Sequence, residues 1–298
     1  MRHDIEFIAD GVTLRGWHYV PDGDGPFPTV VMAHGYAGIK ELYLDDYAAF
    51  FCAAGLAAVV YDHRNFGASD GEPRQDINPW QQVEDYRHAI SFARSLDSVD
   101  PDRIGIWGSS YSGGHVLMVG AVDKRVKAVV SQVPFVSGKR MLEPLVVGTE
   151  SPGVLTMMLE ADREAQFAGA APIRIPVVVK DPGATCALPG REGYDFLEEA
   201  RATRFPDWIN EATLRSSDWS CAYEPADYAE RVSPTPLLMI VASHDTLPPT
   251  ETDVSLATYE RALEPKKLVL LPGGHFDAYV KHFDLSAAAG RDWFLENL

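Results

Sequence analysis

Cysteine, positive charge and long apolar runs are all scarce in this chain. Its 3 cysteines, Cys52, Cys186 and Cys221, lie far apart, without C-x-x-C or metal-ligand spacing. That excludes a disulfide-stapled scaffold and a cysteine-built metal site, and it reads as reduced thiols in a cytoplasm. Lys and Arg total 26 against 43 Asp and Glu, a formal charge of −17. Such a surface repels nucleic-acid phosphates and anionic membranes, so neither is an expected partner; solubility is explanation enough for the acidity. The longest uncharged stretch, Tyr47–Tyr61, is too short to span a bilayer, and Gly55 divides it into a helix end and a strand start. Met1–Phe7 lacks the apolar core of a signal peptide. The expected localisation is therefore cytoplasmic, with a homodimer expected on base rates alone. No internal repeat stands out, and no motif asks for a cofactor or a metal.

What is present is an alternation. Ile5–Ala9 and Thr13–Tyr19 read as strands joined at Asp10-Gly11, a two-residue hairpin signal. Thr29–Ala33 is a continuous apolar run, as in a strand covered on both faces, and further strands are read at Leu56–Tyr61, Arg103–Trp107, Val126–Gln132, Pro236–Val241 and Lys267–Leu271. Helical patterns fall between and after them at Leu42–Ala54, Gly113–Ala121, Glu251–Leu263 and Leu285–Asn297. Asn78-Pro79 is an N-cap followed by proline at the first helical position, and Trp80, Val83, Tyr86, Ile90, Ala93 and Leu96 then recur at helical spacing. The fold class is α/β, a mostly parallel sheet of about eight strands flanked by helices. The pattern breaks over residues 135–233, which are rich in Pro, Trp and Met, with runs at Ser137–Leu145, Gly153–Phe167, Ile175–Val179 and Gly193–Phe205 but no clear strand–helix alternation, and it resumes afterwards. Residues 1–134 and 234–298 are read as the core and 135–233 as an inserted cap, the alternative being a second independent domain.

Arg103–Trp107 runs into Gly108-Ser109-Ser110-Tyr111-Ser112-Gly113-Gly114, a strand, a tight turn and a helix start. A nucleophile elbow needs this context, with small residues two before and two after the nucleophile. Gly108 and Ser112 flank Ser110 in that way, Ser112 standing where glycine is commoner. A rival frame makes Ser112 the nucleophile, and the bland reading is a helix cap by Ser109 or Ser110. The helix amino end favours negative charge at Ser110, and the Tyr111 N–H can donate to an oxyanion. His34-Gly35-Tyr36-Ala37-Gly38 follows the first central strand, and the Tyr36 N–H is the second expected donor; His34 is read as shaping that loop. Asp245 ends the buried run Pro236–Val241, and His275 lies in the loop after Lys267–Leu271. The order Ser110, Asp245, His275 is that of α/β-hydrolases. A neutral imidazole takes the serine proton and a carboxylate fixes its tautomer. His244 as base and Asp277 as acid remain alternatives, with loop shaping and capping of the last helix region as their structural roles. Asp62-His63-Arg64 is read as a loop fixed by an Asp62–Arg64 ion pair.

The set His34-Gly35, Asp62-x-Arg64-x-x-Gly67-x-Ser69, Gly108-x-Ser110-x-Ser112-Gly113-Gly114, Asp245 and Gly274-His275 resembles the dienelactone-hydrolase-like branch of α/β-hydrolases, close to Xaa-Pro dipeptidyl-peptidases and cocaine-esterase-like hydrolases. Trp208–Arg215, Ser233–Met239 and Gly273–Asp277 are similar to fungal polyketide transferases and thiohydrolases. The resemblance implies an α/β-hydrolase fold, a Ser110–Asp245–His275 triad and a small-molecule ester or thioester substrate. Phe135, Met157, Trp208 and Trp219, with Met158, Phe205 and Tyr223, are the candidate pocket-lining residues of the cap, against ordinary packing for any one of them. Three functions follow: a serine hydrolase working through a Ser110 acyl-enzyme, an acyltransferase or thiohydrolase acting on a polyketide-type chain, and a non-catalytic binding protein on the same fold.

Overall fold

A computed structural model describes residues 1–140, 153–181 and 184–298, with the backbone alone at 153 and 154. Residues 141–145 of the run Ser137–Leu145 lie outside the described residues. The strands are β1 (Arg2–Ala9), β2 (Val12–Tyr19), β3 (Phe27–Ala33), β4 (Ala57–Tyr61), β5 (Val99–Ser109), β6 (Val126–Gln132), β7 (Arg174–Ile175), β8 (Ala212–Thr213), β9 (Leu237–Ala242) and β10 (Lys266–Leu271). Eight of them form one sheet in the order β1-β2-β4-β3-β5-β6-β9-β10, while β7 and β8 pair separately. From β4 to β10 every pairing is parallel, and β2 runs antiparallel to both of its neighbours.

The main helices are α1 (Leu44–Ala53), α2 (Pro79–Ala93), α3 (Tyr111–Val122), α4 (Gly153–Phe167), α5 (Arg191–Thr203), α6 (Leu214–Cys221), α7 (Ala229–Val232), α8 (Thr252–Arg261) and α9 (Phe283–Asn297). No helix among the described residues is long and apolar enough to cross a membrane. The expected strand–helix alternation is present, with ends displaced by a few residues as helix and strand ends commonly are.

Local chemistry explains several elements. Asp10 and Gly11 turn the first hairpin with φ of 47° and 81°, the paired positive dihedrals of a tight two-residue turn. Asn78 caps α2 by accepting the Trp80 and Gln81 N–H groups at 3.1 and 3.2 Å. Trp80, assigned above to the buried face of α2, is instead 41% exposed, because α2 turns its apolar stripe through Val83, Tyr86 and Ile90. Strand residues alternate between two cores. Val31, Val59, Ile106 and Met239 face α2 and α3, while Val30, Val60, Trp107 and Ile240 face Tyr47, Phe51 and Phe294 of α1 and α9.

Among the described residues, the segment between β6 and β9 shares the core of the sheet. Its Ile175, Val178, Leu197, Phe205, Trp208 and Leu214 belong to the same apolar cluster as Val31 and Tyr86. It is fastened by charge as well: Arg215 makes two 2.8 Å bonds to Asp76, and Thr213 Oγ1 donates to Asp76 at 2.7 Å.

One expected ion pair is absent in the form anticipated. Arg64 turns away from Asp62 and bonds Asp85 of α2 at 2.8 and 2.5 Å, while Asp62 takes Lys40 Nζ at 2.8 Å. Both carboxylates are wholly buried and each needs its own cation, which one arginine cannot supply.

Candidate active site

β3 and β5 are the point where strand order reverses, and clefts in such sheets lie at the carboxyl edge there. The loops after β3, β5, β9 and β10 bring His34–Gly38, Ser110, Asp245 and His275 to that edge. Ser110 occupies the turn between β5 and α3 with φ 58° and ψ −119°, a backbone that non-glycine residues seldom adopt. Its N–H donates to the Gln132 carbonyl at 2.9 Å, and its carbonyl accepts the Phe135 N–H at 2.8 Å. The turn is thus tied to the end of β6. A Cβ at Gly108 would run into the Ser112 carbonyl, so the position two before Ser110 requires glycine.

Ser110 Oγ lies 3.1 Å from His275 Nε2, and His275 Nδ1 lies 2.8 Å from Asp245 Oδ2. Asp245 and His275 are 4% and 2% exposed. A carboxylate only accepts, so the Nδ1 proton belongs to His275 and its Nε2 lone pair faces the serine hydroxyl. The other Asp245 oxygen accepts the Leu247 N–H and the Thr250 hydroxyl, both at 3.0 Å. Asp277, weighed above as the acid or a cap in the last helix region, caps the short helical turn His275–Ala278 by accepting the Gly274 N–H at 2.9 Å. The exposed His244 bonds Ser243 Oγ at 2.8 Å, and its N–H ties the loop after β9 to Gly273.

Gly35 lies against Ser110: a Cβ there would stand 2.8 Å from Ser110 Cβ, so no larger residue fits. The Gly35 carbonyl accepts His34 Nδ1–H at 2.9 Å and the Gly38 N–H at 3.2 Å. In a trans peptide the Tyr36 N–H then points the opposite way. Among the described residues neither the Tyr36 nor the Tyr111 amide has a backbone acceptor. Burial holds the His34 imidazole neutral, its pKa pushed down to about 4.

The cavity over Ser110 holds about 450 Å³ of space, its solvent-open mouth included. Its lining is His34, Gly35, Tyr36, Leu42, Ser110, Leu188, Phe196, Leu197, Leu247, His275, Phe276 and Tyr279. The four aromatic and sulfur side chains chosen from the sequence lie elsewhere. Phe135 is packed behind Tyr111 and Tyr223, and only its backbone reaches Ser110. Trp208 is 4% exposed and donates Nε1–H to the Ala37 carbonyl at 2.8 Å, bracing the loop after β3 from outside. Met157 is 67% exposed on α4. Trp219 lies under the Arg215 guanidinium, 4.9 Å from its ring, in a surface notch with Asp162 and Asp218. Phe205 and Tyr223 are core residues, and Met158 packs against that core from its edge. Side-chain type marks apolar content but not the direction it faces. Leu247 and Phe276 were within reach of sequence reasoning, because they stand beside Asp245 and His275 in the chain; Leu188, Phe196 and Leu197 had no such signal.

The sequence pattern of the X-Pro dipeptidyl-peptidase (S15) family matches residues 10–277. The quorum-quenching protein AidA of Acinetobacter baumannii (strain MDR-ZJ06) is 31% identical over 279 residues, 93% of this chain and 88% of that protein. A thiohydrolase of Eupenicillium brefeldianum is 32% identical over 281 residues, again 93% and 88% of the two chains. The crystal structure of the α/β-hydrolase GrgF from Penicillium sp. sh18 superposes with a TM-score of 0.86 at 28% identity, covering 100% of this chain and 99% of that one. The likenesses drawn from the sequence to X-Pro peptidases and thiohydrolases are thereby borne out, and this chain belongs to the X-Pro dipeptidyl-peptidase (S15) family as an enzyme of the α/β-hydrolase fold.

Proposed function

We propose that this enzyme cleaves an uncharged carboxylic ester or thioester by a two-step acyl transfer. Ser110 Oγ attacks the carbonyl carbon while its proton passes to His275 Nε2. Asp245 holds the imidazole and stabilises the imidazolium. The carbonyl oxygen becomes an oxyanion between the Tyr36 and Tyr111 N–H groups, the second at the amino end of α3. Collapse breaks the bond to the alcohol or thiol, which leaves with the imidazolium proton. Water, deprotonated by His275, then attacks the acyl-enzyme and releases the acid.

The observation that carries this reading is the unbroken line Asp245 Oδ2–His275 Nδ1, His275 Nε2–Ser110 Oγ at 2.8 and 3.1 Å. The lining supports the substrate class. Leu42, Leu188, Phe196, Leu197, Leu247 and Phe276 are apolar, and no acidic side chain is among the described lining residues to receive a peptide α-ammonium group. A neutral acyl chain suits it better than the X-Pro dipeptide of the family's name. Residues 135–233 serve as a cap, supported by β6 pairing directly with β9 on either side of them and by Leu188, Phe196 and Leu197 reaching the cavity.

The test is labelling with a fluorophosphonate alongside turnover of p-nitrophenyl esters, thioesters and X-Pro anilides. The wild type is expected to be labelled and to turn over neutral esters or thioesters, with no X-Pro anilide cleavage. Ser110→Ala is expected to lose labelling and roughly 10⁴- to 10⁶-fold in kcat. Full turnover by Ser110→Ala would remove the mechanism. Ester or thioester consumption that rises with added alcohol, with alcohol esters as product, would mark an acyltransferase rather than a hydrolase.

A further inference from the structure

The parallel ladder between β3 and β5 ends at Ala33 opposite Gly108. Past that point the chain runs on as the loop His34–Gly38 on one side and as the turn at Ser110 with the first turn of α3 on the other. The Tyr36 and Tyr111 amides lie beyond the ladder on different elements, so strand pairing does not set the distance between them. Side chains make the join. At the last rung the Tyr86 hydroxyl accepts the Ala33 N–H at 3.0 Å and donates to the Trp107 carbonyl at 2.9 Å. One step further out, Ser112 Oγ lies 2.5 Å from the His34 carbonyl oxygen and 3.0 Å from His63 Nε2.

Proton counting orders these contacts. A carbonyl cannot donate, so Ser112 gives its one proton to His34, and its oxygen must then accept from His63 Nε2–H. His63 Nδ1 is left with a lone pair and no partner among the described residues. Ser112 and His63 are 0% and 1% exposed, and the His63 ring is edged by His34 and His115 at 5.5 and 5.7 Å. Burial, with those two imidazoles beside it, drives the His63 pKa well below its usual value, so the ring stays neutral.

We infer that Ser112 is a positioning residue: by holding the His34 carbonyl, with His63 bonded behind it, it fixes the spacing of the two amides that receive the oxyanion. This rests on the proposed roles of Ser110, Tyr36 and Tyr111. With the His34–Gly35 peptide pinned at its carbonyl and the Gly35–Tyr36 peptide pinned by His34 Nδ1 and the Gly38 N–H, little freedom remains for the Tyr36 N–H. Glycine, the commoner residue at this place in an elbow, would leave the loop after β3 and the start of α3 without that link. The Ser112 hydroxyl itself touches no reacting atom, since it is committed to His34 and His63.

The test uses the full chain and a neutral p-nitrophenyl ester, with active sites counted by fluorophosphonate titration. Loss of a whole oxyanion donor costs about 10²- to 10³-fold in kcat, and a displaced one should cost about 10- to 100-fold. Ser112→Ala is expected to lose that much kcat per titrated site, with KM within about twofold and with phenylboronic acid, which forms a tetrahedral adduct on serine, weakened by the same factor. A merely structural role would lower Tm and the number of titratable sites but leave kcat per site unchanged. Ser112→Cys keeps the shape with a weaker donor, and a loss of at least about fivefold is expected; should the alanine variant not fold, this variant decides. Wild-type kcat per site in whichever variant folds overturns the inference. Ser110→Ala runs in parallel: turnover abolished there but normal at Ser112→Ala overturns this inference alone, whereas turnover retained at Ser110→Ala overturns the proposed mechanism.

Discussion

At the residue scale, the turn at Ser110 stores strain that its own hydrogen bonds hold in place. A non-glycine residue at φ 58° and ψ −119° costs on the order of 1–3 kcal/mol. The bonds from Ser110 N–H to Gln132 and from Phe135 N–H to Ser110 oppose that cost, and both are backbone bonds that survive substitution. Two inactive variants separate strain from chemistry. Ser110→Ala keeps a Cβ and should keep the strain, whereas Ser110→Gly lifts the steric part of it. The glycine variant is expected to be about 1 kcal/mol more stable than the alanine variant, read as a higher urea midpoint at equal slope. Equal midpoints would mean that the strain relieved is no larger than the roughly 0.4–1 kcal/mol of extra chain entropy glycine loses on folding. Ser110, Asp245 and His275 could be picked out from the sequence because each follows a strand of the sheet, in the chain order of the fold. The partner of Ser112 could not, because the His34 carbonyl is a backbone atom brought there by the register of β3 on β5.

At the scale of elements, buried charge joins loop to helix where sequence proximity suggested something else. Arg64 reaches α2 and bonds both oxygens of Asp85, which is wholly buried. Burial pushes the Asp85 carboxyl upward while the guanidinium opposes it, so the carboxylate depends on that one cation. Arg64→Ala leaves it uncompensated and is expected to cost about 3–5 kcal/mol. Replacing both by apolar residues, Arg64→Met with Asp85→Leu, is expected to recover most of the loss, as buried pairs often exchange for apolar contacts at little net cost. Chemical denaturation of the single and double variants measures both; a single variant within about 1 kcal/mol of wild type would show that Asp85 finds another partner. This pair also marks how far the fold was readable. Elements set by local signals, the Asn78 cap, the Asp10-Gly11 turn and the strand Val126–Gln132, were recovered closely. Pairings between elements distant in sequence were not, because Arg64 can choose Asp85 over Asp62 only once α2 has packed on the sheet. The cavity lining failed for the same reason, since the facing of Trp208 and Met157 is decided by what packs around them.

At the scale of the whole molecule, three buried imidazoles form a line from the loop after β3 to the segment between β6 and β9. His34 meets His63 at 5.5 Å and His63 meets His115 at 5.7 Å, and His115 bonds the Tyr223 hydroxyl at 2.9 Å and Gln82 Oε1 at 3.0 Å. Burial lowers His34 to about 4 and His115 to about 3, and takes His63 well below its usual value. His18 on β2 is also lowered, to about 4, by burial and the charge of His3. In the unfolded chain these rings titrate near 6.5. Between that value and their folded values the unfolded state binds more protons, so stability rises with pH there. The stabilisation is complete above pH of about 6.5 and is lost as pH falls toward about 4. With three or four such groups the limiting slope is roughly 4–5 kcal/mol per pH unit. Asp85, Asp45 and Glu251, raised by burial, act with the opposite sign, so the fall below pH 6.5 reports the imidazoles net of these carboxyls. Urea midpoints are therefore expected to be level from pH 8 to 7 and to fall steeply below 6.5. His115→Gln should be less stable than wild type at pH 8, having lost its fitted bonds to Tyr223 and Gln82, yet fall less steeply below 6.5 because one titrating group is gone. A midpoint independent of pH from 8 to 5.5 would mean that the folded and unfolded chains bind protons equally over that range, so that burial does not hold these rings neutral.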